Sequence, residues 1–354
     1  MGPNPYQNLP VKNYWRQGVA NASPFEWRDL YSKKFDISAK TRVSCAGSCF
    51  AQHVGRHLRD RGFNYQDFEP APSLLEGSEL RHKYGYEIYS ARFGNIYTAR
   101  QLRQLFLRAS GKFVPSEQVW EQDGRFYDPF RPAVEPEGFA SLAEFKAAQE
   151  LHFSAVRHMA KRTDLLVFTL GLTEAWVSRT DGSVYPMCPG THAGVFDADR
   201  YEFKNFSYSE ILADMKWVVA YLTRINPRLK LLLTVSPVPL VATATNKHVL
   251  VATTYSKSVL RAVAGTLSDE FDFIDYFPSY EIISAPATRG FFYDPNLRTV
   301  TDAGVTFVMR HFFSEHGTGE SPSAPTPETK MQSNLAKLEV VCEEEILASF
   351  STVG

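Results

Sequence analysis

The residue most able to do chemistry is Cys49, in the string Gly47-Ser48-Cys49-Phe50-Ala51. A short, partly β-branched run, Thr41–Ala46, leads into it, and Phe50, Val54 and Leu58 then recur every four residues. That pattern predicts a strand, a glycine turn and a helix with Cys49 at its start. Unsatisfied N–H groups and the positive end of the helix dipole stabilise a thiolate there, which makes the thiol a usable nucleophile near neutral pH. Most free cysteines are small buried hydrophobes, and Cys45, on the strand itself, is read that way. A nucleophile needs a proton acceptor, and two histidines stand in loops: His248, after SPVPL and VATATNK, and His192, in CPGTHAG. A loop histidine is more often surface decoration than catalyst; His248 ranks first because it follows a core strand. Lys257 and Arg298 are candidate contacts for a phosphate, a carboxylate or a coenzyme A group, with an ordinary salt-bridging role as the alternative.

Other chemistries find less support. His53 and His57 are four residues apart on one helix, but Val54 stands where a zinc protease has glutamate and no third ligand follows, so no metal site is assigned. There is no Gly-x-x-x-x-Gly-Lys loop and no Gly-x-Gly-x-x-Gly turn. The 38 basic and 39 acidic residues leave a net charge of -1, which argues against a protein that coats nucleic acid or an anionic membrane. Four cysteines in 354 residues are too few for a disulfide scaffold. No apolar run approaches a membrane span, and the first fifteen residues lack the apolar core of a signal peptide. The expectation is a soluble cytoplasmic protein.

The elements that must position Cys49 follow from periodicity. Thr163–Leu170 and Leu229–Val235 are continuously apolar, as parallel strands covered on both faces are. Ser207 and Glu210 form a capping box before a helix bearing Ile211, Met215, Val218, Val219 and Leu222. Tyr255–Leu267 reads as a helix, Phe271–Tyr276 as a strand, and a last helix begins near Thr301. Alternating strands and helices imply a three-layer α/β/α, doubly wound, mostly parallel sheet, in which ligands bind beyond the carboxyl ends of the strands. Residues 1–40 are an aromatic arm packed on the core, and 41–316 the α/β domain. Residues 65–140, lacking clear periodicity, read as an insertion or lid. Residues 317–330 are a linker, and 331–350 a C-terminal amphipathic helix (Met331, Leu335, Leu338, Cys342, Ile346) that docks on the body, mediates a homo-oligomer or frays.

The string GSCFA, with GLTEAW at 171–176, TVSPVPL at 234–240 and YSKSVLRAVA at 255–264, resembles the GSCFA family, whose members look like SGNH/GDSL hydrolases. The resemblance implies acyl transfer. It lays Cys49 on the nucleophilic serine, with Ser48 as nucleophile only in another register. It implies an oxyanion hole from the Cys49 N–H, Gly94 and Thr173, the last replacing an asparagine, and substrate contacts at Asn95, Glu174, Lys257 and Arg298. Losing one oxyanion donor costs about 2.7–4 kcal/mol of activation free energy, so threonine for asparagine is a real change. The superfamily's Asp-x-x-His pair is missing: anchoring on Gly304 places Asn296 and Thr299 there. The implied activity is an esterase or O-acyltransferase acting on a glycan, with no bound cofactor and acyl-coenzyme A as a candidate donor. The alternatives are a non-catalytic ligand- or glycan-binding protein on the same fold, and a redox sensor pairing Cys49 with Cys45 or Cys188.

Overall fold

The computed structural model describes residues 4–317 and 342–351. The chain enters β1 (Val43–Gly47) and turns into α1 (Phe50–Asp60), then passes α2 (Ser78–Lys83) and α3 (Ala99–Ala109). A hairpin, β2 (Trp120–Gln122) with β3 (Arg125–Tyr127), precedes the long α4 (Leu142–Arg162) and β4 (Leu165–Leu170). A small antiparallel sheet follows, made of β5 (Glu174–Ser178), β6 (Val184–Tyr185) and β7 (Tyr201–Asn205). Then come α5 (Tyr208–Ile225), β8 (Lys230–Val235), α6 (Val249–Glu270), β9 (Ile274–Tyr276), α7 (Ser279–Ser284) and α8 (Asp302–His316).

The central sheet is parallel, in the order β1-β4-β8-β9. Outside β1 an extended segment takes the edge: Val43 N–H donates to Asn64 O at 2.9 Å and Gln66 N–H to Val43 O at 2.8 Å. The chain therefore leaves β1 toward one side of the sheet and returns to build the other. The carboxyl ends of β1 and β4 flank the reversal, where open α/β sheets form a ligand crevice. Strand residues alternate between two apolar cores. Ala46, Leu166, Phe168, Leu231 and Leu233 pack against α3, α4, α5 and α6. Val43, Cys45, Leu165, Val167 and Leu232 pack against α1, α7 and α8. The result is a mixed α/β protein whose four-stranded parallel sheet is flanked by helices.

Several expectations change. Within residues 65–140, read as an insertion or lid, Tyr89, Phe93, Ile96, Leu102, Leu105 and Phe106 are part of the main core. The helix α3 there starts on a capping box between Thr98 and Gln101. The arm packs only in its later part. Tyr31 is buried and donates to Asp275 Oδ2 at 2.7 Å, whereas Tyr6 and Trp15 stay 74% and 71% exposed. Of the expected C-terminal helix, Met331, Leu335 and Leu338 lie outside the described residues, as does nearly all of the linker. Ile346 belongs instead to a stretch of 3-10 turns, Glu343–Phe350, of which Cys342 is the N-cap. Among the described residues no helix is long and apolar enough to cross a membrane.

Candidate functional site

The turn after β1 is fixed by glycine. Gly47 has φ +133°, and a Cβ there would come within 2.7 Å of Thr169 N, so no other residue lets β1 and β4 approach this closely. Its carbonyl accepts from Ile96 N–H at 2.9 Å, and Ser48 N–H donates to Thr169 O at 3.2 Å. Ser48 is buried against Gly171, where a Cβ would lie 2.7 Å from the serine Cβ, and its hydroxyl has no partner. Cys49 is the N-cap of α1, with helical backbone angles and 5% exposure. Of the two neighbours, Ser48 packs between the ends of β1 and β4, and Cys49 opens α1.

Three loops wall the thiol. Gln52, one turn along α1, donates to Tyr89 Oη at 3.1 Å, and the Tyr89 hydroxyl donates to Asn95 Oδ1. This pins the Asn95 carboxamide oxygen and turns its nitrogen the other way. At the end of β4, Gly171 and Leu172 N–H donate to Tyr97 O at 3.2 and 2.9 Å. Lys257, reaching from α6, donates to Gly171 O at 2.7 Å. It is 1% exposed, and burial lowers its pKa to about 8. Thr173 N–H donates to Ser256 Oγ at 3.1 Å, while the buried Thr173 hydroxyl has no partner.

The remaining wall is the chain's own C-terminal stretch. The Cys342 thiol is hydrogen-bonded to that of Cys49, and Arg298 Nη2 donates to Cys342 Sγ at 3.3 Å. The pair shares one readily lost proton. The hydrogen bond from Cys49, with help from Arg298, brings Cys342 down to about 6; the same bond and burial push Cys49 well up. The Glu343 carboxyl accepts from both the side chain and the backbone N–H of Asn95, and one of its oxygens lies 3.1 Å from where a Gly94 Cβ would be. Glu344 is 7% exposed, faces Arg298 Nη2 at 3.5 Å and feels the charge of Lys257. Burial raises both carboxyls to about 8.

Cys49, Gly94, Asn95, Lys257 and Arg298 thus converge, with Thr173 two residues beyond Gly171. Glu174 lies at the margin, its carboxyl held by the Thr243 hydroxyl at 2.8 Å. The histidines are placed elsewhere. His248 is exposed, and its Nδ1 accepts from Leu250 N–H as the N-cap of α6. Nine residues separate it from Lys257, about 13 Å along the helix axis. His192 packs edge-on against Tyr127. His57 Nδ1 lies 3.0 Å from the His53 carbonyl, a local helix contact. Asn296 and Thr299 bond to each other at 2.9 Å on an exposed loop that carries Arg298 inward. Sequence reasoning missed Gln52, Tyr89, Glu343 and Glu344, and gave Cys342 no role at the thiol. For Gln52 the signal was its place one turn after Cys49.

The chain matches the GSCFA family over residues 42–312, well over half its length. It belongs to the GSCFA family. The match covers β1 through most of α8, and so takes in every residue of the site except those of the C-terminal stretch. No curated protein matches the chain. The chemistry of this GSCFA protein has to be argued from its own residues.

Proposed function

We propose that this GSCFA protein is an acyl-transfer enzyme with Cys49 as its nucleophile. The observation that carries the reading is the Glu343 carboxyl: it sits on the Asn95 N–H groups beside Gly94, next to a chain segment whose sulfur touches Cys49. A carboxyl group is the nearest relative of an acyl group. With its pKa raised to about 8, the group seated there at neutral pH is the uncharged acid, so it stands in for a bound acyl carbonyl, whose oxygen the Asn95 donors would meet and hold as charge develops on it. The thiolate attacks the carbonyl carbon of an ester or thioester, the new C–S bond forms, and the old C–O or C–S bond breaks as the leaving group takes a proton. Water or an alcohol then attacks the thioester, giving up its proton and returning the thiolate. Asn95, the Cys49 N–H and the unpartnered Thr173 hydroxyl serve as oxyanion donors. Lys257, part-neutral near pH 8, is the proton acceptor that replaces the missing histidine.

A sugar ester or sugar alcohol is the substrate class suggested by the likeness to SGNH enzymes, with acyl-coenzyme A as a candidate donor. The test is intact-protein mass spectrometry of the Glu343→Ala protein, with and without Cys49→Ala, after exposure to an activated acyl ester and to acetyl-coenzyme A. One hydroxylamine-labile adduct that vanishes with Cys49→Ala is expected. An adduct that survives the substitution moves the nucleophile elsewhere. A second reading is favoured by one feature: the loop that carries a histidine in SGNH enzymes here presents Arg298, a fixed cation with no proton to exchange. On that reading the protein binds an anionic ligand without turnover, and no adduct forms from either donor.

A further inference from the structure

The Cys49 crevice is not open. Three consecutive residues of the C-terminal stretch each meet a different wall of it. Cys342 meets the Cys49 thiol, Glu343 meets Gly94 and Asn95, and Glu344 meets Arg298 with the charge of Lys257 nearby. Glu345 adds a contact to Arg298 Nη1 at 3.2 Å. One side chain lying in a crevice would be a packing accident. A thiol, a carboxyl and a second carboxyl in register with a thiol, an amide cradle and two cations are chemical complements. The stretch beyond Glu345 does not contribute in the same way: Ala348, Ser349 and Phe350 are exposed, Phe350 at 62%. The complementarity is therefore concentrated in the residues that fill the crevice.

We infer that the segment Cys342–Glu345 is an intramolecular plug, which holds the GSCFA site closed in the resting protein and must leave before any other ligand enters. While it is seated, Cys49 is the protonated partner of the thiol pair and donates its hydrogen bond to Cys342. The seated plug thus removes access and nucleophilicity together. Once it leaves, Cys49 keeps its helix N-terminus and gains Arg298 as an unshared positive neighbour, both of which favour the thiolate. The crevice also acquires a stated preference, for a ligand with an acyl or carboxyl group at Gly94 and Asn95 and an anionic group at Arg298 and Lys257. This inference goes beyond acyl transfer and holds whether or not Cys49 forms a thioester.

The test reads thiol access without any acyl chemistry. Full-length protein and its Glu343→Ala/Glu344→Lys variant are treated with iodoacetamide, and alkylation is followed at each cysteine by peptide mass spectrometry. Cys49 is expected to react at least tenfold faster in the variant, while Cys188 reacts equally in both. Equal Cys49 rates in the two folded proteins overturn the plug. A variant that fails to fold leaves the decision to the wild type, treated with diamide to oxidise nearby thiol pairs. A Cys49–Cys342 disulfide within one chain, formed at a rate independent of protein concentration, supports the plug. Absence of that disulfide, or its formation only between chains, overturns it.

Discussion

Replacing Lys257 by methionine should make the protein more stable at neutral pH, although it removes a hydrogen-bonded group. Lys257 is 1% exposed, and burial lowers its pKa from 10.5 to about 8. A lysine whose pKa falls on folding is penalised wherever it is still charged. The penalty is full below about pH 8 and is relieved as pH rises toward 10.5. At about 1.4 kcal/mol per pH unit the interval corresponds to about 3 kcal/mol. Against this, Lys257→Met loses the bond to Gly171 O, a net contribution of about 1 kcal/mol for a neutral donor. The variant should therefore be more stable by about 2 kcal/mol at pH 7 and less stable by about 1 kcal/mol at pH 10.5. Urea unfolding of both proteins at half-unit steps between pH 7 and 10.5 measures the difference, in which titrations of groups remote from Lys257 cancel. A stability difference that stays constant with pH refutes the reasoning, because it would mean that Lys257 is fully compensated in its charged form.

Gly47→Ala should destabilise the fold by about 3 kcal/mol or more, since strain at φ +133° adds to a contact with the Thr169 backbone; near-wild-type melting would refute the reading of that turn. Thr173→Val removes a buried hydroxyl that has no partner, so it should leave stability equal or slightly higher, while slowing acylation of Cys49 about 100-fold; an unchanged rate would strike Thr173 from the oxyanion donors. The plug should loosen with rising pH. Glu343 and Glu344 sit near 8 when seated, against an ordinary 4.5, so the seated state binds more protons and is favoured at low pH. Each carboxyl weakens seating by about 1.4 kcal/mol per pH unit between those values. The anisotropy of a C-terminal fluorophore should fall from pH 6 to 9, because the two carboxyls outweigh the Cys342 thiol, which seating brings down to about 6 and which favours the seated state as pH rises; in Glu343→Gln/Glu344→Gln only the thiol is left, and the fall should vanish or reverse.

What was legible in the sequence, and what was not, follows from how each element is buried. β4 and β8 read clearly because parallel strands covered on both faces are apolar throughout, and α5 because its capping box and apolar stripe agree. The helix α3 hid because it is buried on polar residues as well: Gln101, Gln104 and Arg108 are all 9% exposed or less. Its apolar stripe, Leu102, Leu105, Phe106 and Ala109, was there to be read, but it is interleaved with Arg100 and Arg103, which meet the buried Asp214, and with Arg108, which lies over the Phe130 ring. A strand-to-helix turn announces itself by glycine and by position, which is why Cys49 could be placed at the start of α1 from the sequence. A terminal segment is different. Cys342 fitted an apolar helical period, but local pattern holds no information about which crevice a tethered segment can reach, and Glu343 and Glu344 look like surface residues until their partners are known.

If the proposed acyl-transfer reading and its likeness to SGNH enzymes hold, the two departures from that pattern, cysteine for serine and the lost Asp-x-x-His, are chemically one change. A serine hydroxyl needs a base to strip its proton as it attacks. A thiol, with an ordinary pKa near 8.5, needs only a positive field to become the nucleophile. Arg298, on the loop where the histidine would stand, supplies that field and titrates nowhere near neutrality. The first half of the reaction is thereby freed from a base, but the second half is not: an attacking water or alcohol must still lose a proton, and the buried Lys257 is the group placed to take it. The two steps should then separate by mutation. Arg298→Met, with the plug unseated by Glu343→Ala, should slow formation of the acyl-enzyme and leave its breakdown nearly unchanged. Lys257→Met in the same background should do the reverse, so that the thioester accumulates to near one per chain and persists. Stopped-flow acylation followed by timed intact-mass readings distinguishes the two, and equal slowing of both steps by either variant would mean that one group serves both halves of the reaction.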